Sequence, residues 1–194
     1  FKVILQNMVF LKYTLIGSLT YSVLMIYLAN APYVIMDYGG LSSNVFSAIF
    51  AFNAVGLILG SWLANSVLSG RFSSAHIVRY AIYFGFFFSL LFFVACIFRS
   101  NVFLLLSFLF FMIVALGVIF PVTTQLALQP FKQNSGSASA LLGSLQLLVT
   151  FVISAGTNLI PVDLLLLTGL ALLVCHVLYF ACLLFKSPEQ PVVA

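Results

Sequence analysis

The stretch 102–128, VFLLLSFLFFMIVALGVIFPVTTQLAL, decides the fold. It holds no charged residue. A helix needs about 20 mostly apolar residues to cross about 30 Å of hydrocarbon, and this stretch is long enough. The charge-free interval around it runs from 100 to 131, between Arg99 and Lys132. The other charges are Lys2, Lys12, Asp37, Arg71, Arg79, Asp163, Lys186 and Glu189, and they leave five more long intervals: 13–36, 38–70, 80–98, 133–162 and 164–185. Six intervals predict six helices, because an open strand cannot satisfy its backbone in lipid. A lipid-facing barrel needs short alternating strands. Runs such as Phe86-Phe87-Phe88 and Leu164-Leu165-Leu166-Leu167 do not alternate.

Composition agrees. Hydrophobic residues make up 64% of the 194-residue chain and charged residues 5%, against about 45–50% and about 25% in soluble domains. Mean hydropathy is +1.27. Such a chain cannot cover itself in water, which excludes a soluble globular domain and a disordered tail. A nucleic-acid partner is excluded as well, for want of a basic face. The net charge of +4 is a statement about orientation in a membrane. With the N-terminus cytoplasmic, Lys2, Lys12, Arg71, Arg79, Lys132 and Lys186 fall inside and only Arg99 outside. The positive-inside rule then puts both termini in the cytoplasm.

Turn chemistry trims the spans. Tyr38-Gly39-Gly40-Leu41-Ser42-Ser43-Asn44, Ser69-Gly70-Arg71, Gln129-Pro130-Phe131-Lys132 and the segment Asn158 to Asp163 read as loops. The expected spans are 13–36, 45–68, 78–98, 102–128, 136–158 and 163–185. The first is too long for a signal-peptide core, although Ala29-Asn30-Ala31 has the look of a cleavage site. Six close spans without a soluble domain read as a membrane module, half of a larger one.

Polar side chains in lipid turn toward protein or a water-filled cavity. Asn30 lies in span one, Asn53 and Asn65 in span two, Thr123, Thr124 and Gln125 in span four, and Gln146 and Thr150 in span five. Span three carries seven Phe and no amide, and span six is mostly Leu. Spans one, two, four and five are therefore expected inside, and three and six toward lipid. The odd helices recur after every third, which suits two three-helix inverted repeats. In span five, Gly136, Ser139, Ala140, Gly143, Gln146, Thr150 and Ser154 form one stripe, with Leu142 and Leu145 opposite. In span two, Asn53, Gly56, Gly60 and Ala64 do the same. Small residues at this spacing admit close helix contact, either within the six helices or against an absent half. Pro121, with Gly117 on one face of span four, either flexes that helix or shapes it.

Catalytic and coupling chemistry is sparse. No carboxylate or Lys lies mid-span, so this segment offers no carboxylate proton relay. His176 sits in an apolar span and reads either as a hydrogen-bonded structural group or as a functional one. His76 reads as solvated. Cys96, Cys175 and Cys182 read as small apolar packing. There is no phosphate-binding loop. The sequence Gly136-Ser137-Ala138-Ser139 is a poor echo of a serine-enzyme elbow, and no enzyme is expected.

Three segments carry a resemblance. Gly117-Val118-Ile119-Phe120-Pro121, Leu126-Ala127-Leu128-Gln129-Pro130-Phe131 and Gly136-Ser137-Ala138-Ser139-Ala140-Leu141-Leu142-Gly143-Ser144-Leu145-Gln146 resemble helices ten and eleven of the Bcr/CflA-type drug-resistance transporters of the major facilitator superfamily (MFS). Ala31-Pro32-Tyr33-Val34-Ile35 with Tyr38-Gly39 resembles the segment after helix seven, with Ala31 where Ser is usual. Gly60, Asn65, Leu68, Arg71 and Arg79 resemble the degenerate cytoplasmic loop motif between helices eight and nine. The resemblance covers essentially the whole chain. It implies an all-α, six-helix C-terminal half (1–194) of a twelve-helix transporter, with the N-terminal half as missing partner. It also implies a bacterial inner membrane and alternating access around a shared cavity. Hydrophobic small molecules would be exported in exchange for protons, with no cofactor beyond the gradient. The family's coupling acids lie mainly in the other half.

On this reading the candidate cavity residues are Tyr27, Asn30, Asn53, Gln125 and Gln146, with Tyr33 at the outer mouth. Gly56, Gly60, Pro121, Gly136 and Gly143 are the packing and gating candidates. Arg71 and Arg79 either hold the cytoplasmic loop by pairing or serve as positive-inside anchors. The alternatives left open are a carrier for an amino acid or sugar and a non-transporting membrane scaffold.

Overall fold

The structure is a computed structural model and describes residues 2–158 and 163–184. The expected loop at 159–162, the final residue of the sixth span, Lys186 and Glu189 lie outside the described residues. Everything described is helix or short turn. A short α1 (Lys2–Leu5) precedes six long helices: α2 (Met8–Pro32), α3 (Ser43–Trp62), α4 (Ser74–Ile97), α5 (Val102–Leu128), α6 (Ser135–Asn158) and α7 (Leu164–Leu184). α2 and α3 each end in a wider π-helical turn, Tyr33–Tyr38 and Leu63–Leu68.

Boundaries follow local chemistry. The Asn7 side chain accepts the Phe10 N–H at 3.0 Å, and Asn101 accepts the Phe103 N–H at 2.9 Å. These caps satisfy orphan donors. α2 begins five residues before the expected 13, and α4 four before the expected 78. For α2, counting gaps between charges stopped short because Lys12 rides on the helix itself, whereas α4 begins earlier because Ser73 rather than a residue nearer Arg79 starts it. Long cationic side chains can lie along an apolar helix with their heads in water.

α5 and α6 belong to one apolar helical run of 56 residues, Val102–Thr157. At about 1.5 Å per residue that far exceeds one bilayer. The break is a 3-10 turn, Gln129–Asn134, where Phe131 leaves helical geometry at φ −118° and ψ 38°. Pro130 opens this turn. The run is therefore two crossings, and the described residues hold six helices of membrane-spanning length and apolarity. The chain is an integral membrane protein.

The packing has a two-fold logic. α2 packs on α5, α6 and α7. α5 packs on α2, α3 and α4. α4 packs on α7. Exchanging α2 with α5, α3 with α6 and α4 with α7 returns the same set of neighbours. The bundle is thus two three-helix units, α2–α4 and α5–α7. With an odd number of crossings in each, the second runs opposite to the first, as in inverted-repeat transporters. The core divides by depth. One cluster joins Phe10, Ile77, Ile119, Ala138 and Tyr179, and the other joins Val23, Ile35, Phe92, Leu105 and Leu165.

Burial within this six-helix unit differs sharply from helix to helix. Of its apolar stretch, α2 buries 61%, α7 44%, α4 33% and α3 only 17%. α3 is the most exposed of these four within this six-helix unit. The reason is shape. α3 touches α5 through a narrow line of small residues, whereas α4 and α7 interlock side chain into notch. The Gly85 face of α4 receives the His176 ring of α7, and the Gly169 face of α7 receives Cys96 and Phe93 of α4.

Candidate functional site

The polar candidates resolve into separate arrangements. Asn53 of α3 is 3% exposed, and its amide donates to the Tyr27 hydroxyl of α2 at 2.8 Å. Phe50 stacks on the Tyr27 ring at 6.2 Å. These two candidates therefore meet and satisfy each other in the interior. Asn30 spends its amide locally, on the Ile26 carbonyl one turn back, at 2.9 Å. Tyr33 opens the π turn at the end of α2, half-buried. Gln125 on α5 is exposed.

Gln146 of α6 is drawn inward. It is 8% exposed, and its amide nitrogen has no hydrogen-bond partner. That nitrogen lies 3.2 Å from where a Cβ on Gly17 of α2 would sit, and the Thr123 hydroxyl of α5 lies 3.4 Å from the same point. One turn outward, Ser22 and Thr150 share a hydrogen bond at 2.9 Å. Tyr21 and Phe120 face each other at 6.5 Å and carry the partly open wall from α2 to α5. Gly17, Ser22, Tyr21 and Phe120 were not singled out from the sequence. Only the helix pairing shows that Gly17 is small because Gln146 lies over it.

The packing candidates also divide. Gly60 of α3 and Gly117 of α5 bring two backbones together: a Cβ on Gly60 would run into the Val114 carbonyl oxygen, and one on Gly117 into that of Leu57. A Cβ on Gly56 would meet the Phe110 ring at 2.9 Å. The span-two stripe is therefore an internal seam. Gly136 and Gly143 face open space, with no packing partner among the described residues. The single span-five stripe does not hold either. Ala138, Leu142 and Gln146 are the buried line of α6, while Gly136, Ser139 and Ala140 are exposed. The spacing admits two stripes one residue apart, and the Gly17 notch selects the one that carries Leu142. Pro121 is accommodated inside an unbroken α5. Thr123 and Thr124 donate there to the Phe120 carbonyl at 3.0 and 2.9 Å.

At the end of the bundle that holds the α4–α5 turn, Arg99 pairs with Asp163 at 3.4 Å. Arg99 has φ 45°. The Ser100 N–H bonds the Ala95 carbonyl and the Arg99 N–H that of Cys96, a left-handed helix ending that usually takes glycine. The Tyr38 hydroxyl donates to the Ser100 carbonyl at 2.9 Å. Near the opposite end, Arg71 and Arg79 are exposed and form no ion pair among the described residues. His76 is exposed and shares a 2.6 Å hydrogen bond with Ser73.

His176 is fully buried. Its Nδ1–H donates to the Leu172 carbonyl at 2.8 Å, and its Nε2 has no partner. The neighbouring Tyr179 donates to the Thr20 hydroxyl at 2.9 Å, which ties α7 to α2. The three cysteines are buried and free. No group of three potential metal ligands occurs among the described residues. A cleft of about 240 Å³ opens between α6 and α7. Its walls, Val152, Ile153, Leu170 and Val174 among them, are apolar and hold none of the polar candidates. The polar line of α2, α5 and α6 is accordingly the candidate site.

The chain is similar to the uncharacterized MFS-type transporter YdgK of Bacillus subtilis (strain 168), with 26% identity over 151 residues. The matched region is 78% of this chain and 37% of that protein, so the chain spans well under half the length of the relative. No family profile matches the chain, and no solved structure does.

Proposed function

We propose that this chain is the C-terminal six-helix half of an MFS secondary transporter of the Bcr/CflA kind, exporting hydrophobic small molecules against protons. The observation that carries this reading is the exchange of neighbours between α2–α4 and α5–α7. That exchange is the internal symmetry of a half-transporter, and it leaves α3 and the outer face of α6 without helix partners on one side. A second six-helix half would cover those faces. α2 and α5, with the polar line at Gln146, Thr123 and Thr150, would then front a cavity between the halves. Similarity to an MFS-type transporter supports the same reading.

In this scheme the N-terminal half supplies the acidic coupling residues. Asp37 lies in the π turn that closes the first span and Asp163 immediately precedes α7, so both stand at span ends and neither lies mid-span. The protein sits in a bacterial inner membrane, with the Lys12, Arg71, Arg79 and Lys132 ends in the cytoplasm. Amides orient the substrate, and Tyr21 and Phe120 offer adaptable aromatic surface, with Tyr27 buried against Asn53. Gly136, Ser139, Ala140 and Gly143 then form the line where α6 meets the other half.

The test is transport by the full protein that contains this chain, reconstituted in proteoliposomes with an imposed pH gradient. Dye accumulation should follow the gradient, collapse with a protonophore and be absent for residues 1–194 alone. Gradient-independent leakage equal in both preparations would refute the carrier reading.

A further inference from the structure

We infer that Gly17, Thr123 and Gln146 form a recognition node for a hydrogen-bond acceptor on the transported molecule. The inference rests on the carrier reading and adds a substrate class to it: hydrophobic compounds that carry a carbonyl, ester or similar acceptor oxygen.

Three helices meet at the node. α2 contributes Gly17, whose missing Cβ leaves the notch. α6 contributes Gln146, whose amide nitrogen reaches within 3.2 Å of the Cβ position. α5 contributes Thr123, whose hydroxyl lies 3.4 Å from the same point. Thr123 has already donated its hydrogen, to the Ile119 carbonyl at 2.8 Å and the Phe120 carbonyl at 3.0 Å. Its oxygen can therefore only accept. Gln146 is in the opposite condition. Its N–H groups are buried and have no acceptor. The Thr14 hydroxyl, one turn before Gly17 on the same helix, is also buried without a partner. The Gln146 amide thus stands as an unspent donor beside the Gly17 notch. Buried donors are normally satisfied, and leaving one unmet is unfavourable. An incoming acceptor oxygen relieves that cost at Gln146. A molecule without an acceptor gains nothing there and keeps only its apolar contacts.

Contrast with the other buried amide sharpens the assignment: the Asn53 nitrogen already donates to Tyr27, whereas the Gln146 nitrogen has no partner. The node is also small. A Cβ on Gly17 would press on both Gln146 and Thr123, so Gly17 is a positioning residue that lets the amide lie inward.

The experiment uses the purified full protein and two lipophilic monocations, rhodamine 6G, which carries an ester carbonyl, and tetraphenylphosphonium, which has no acceptor. Binding is read by fluorescence polarisation for the first and by competition for the second. Transport is read separately in proteoliposomes. Gln146→Leu should weaken rhodamine 6G binding about tenfold, which is about 1.4 kcal/mol, and leave tetraphenylphosphonium within twofold. Gly17→Ala should act in the same direction and more weakly. Equal loss for both probes, or no change for either, overturns the node while transport by the wild type upholds the carrier. Selective loss of binding without any transport sinks the carrier reading and keeps an acceptor site. Failure of the wild-type protein to bind either probe overturns both.

Discussion

Two seams that the internal two-fold makes equivalent are built from opposite chemistry. α3 meets α5 by backbone contact at Gly60 and Gly117, with Gly56 seated against the Phe110 ring and Phe52 stacked on Phe110 at 4.6 Å. α6 meets α2 through polar groups, with Ser22 bonded to Thr150 and Gln146 folded over Gly17. The first is dry and shape-determined. The second keeps unspent hydrogen-bonding capacity. In lipid there is little hydrophobic drive between helices, so close packing and hydrogen bonds hold them together. The two seams show the two solutions side by side. The difference teaches that the first repeat supplies a rigid seam and the second an adaptable polar one, where a ligand has something to bind.

The comparison can be broken at its rigid side first. Gly60→Leu forces a side chain into the Val114 and Gly117 backbone. It should cost about 3 kcal/mol, the upper end for overpacking a tight contact, and lower the thermal midpoint in detergent sharply. A midpoint unchanged from wild type would mean that α3 and α5 are not in backbone contact. Next in size is Asn53→Ala. It leaves the Tyr27 hydroxyl buried without its donor and should cost about 2 kcal/mol, while Tyr27→Phe combined with Asn53→Leu should recover much of that. A double variant no better than the single would show that the pair is not coupled.

The polar seam should respond more mildly. Thr150→Val removes one hydrogen bond to Ser22, whose hydroxyl still donates to the Ser18 carbonyl. A loss of about 1 kcal/mol is expected, read as a small shift in the unfolding midpoint. The smallest effect belongs to the exposed glycines. Gly143→Ala fills open space and gains helix propensity, so residues 1–194 should be stabilised by up to about 1 kcal/mol. In the full protein, Gly143→Leu should instead impair assembly or transport, since α6 there would meet the other half. Full activity of that variant would remove Gly143 from the proposed interface.

Much of the architecture was legible because sparse charge and turn chemistry divide the chain by simple counting. Val102–Leu128 agrees to the residue with the expected span, since Asn101 and Pro130 bracket it. The start of α2 was misplaced because Lys12 sits on the helix rather than beyond it, and that of α4 because Ser73 caps the helix a turn earlier than expected. Neighbour relations were less visible. The small line of α3 could be read as a stripe, but not that Gly60 would face Gly117. In α6, two stripes differ by one residue, and only a partner notch distinguishes them. Gly17 could not be read at all, because a lone glycine in a helix acquires meaning from the side chain opposite. The sequence likewise could not tell that Asn53 and Tyr27 satisfy each other whereas Gln146 keeps a free donor.

Paired-cysteine cross-linking of the full protein, with Cys96, Cys175 and Cys182 replaced, addresses the reciprocal packing most directly. The pairs Ser22→Cys with Thr150→Cys, for α2 against α6, and Phe52→Cys with Phe110→Cys, for α3 against α5, should both close under mild oxidation. A control joining α3 to α6, Phe52→Cys with Thr150→Cys, should stay open. Closure of the control with failure of the two designed pairs would contradict the two-fold arrangement of the helices.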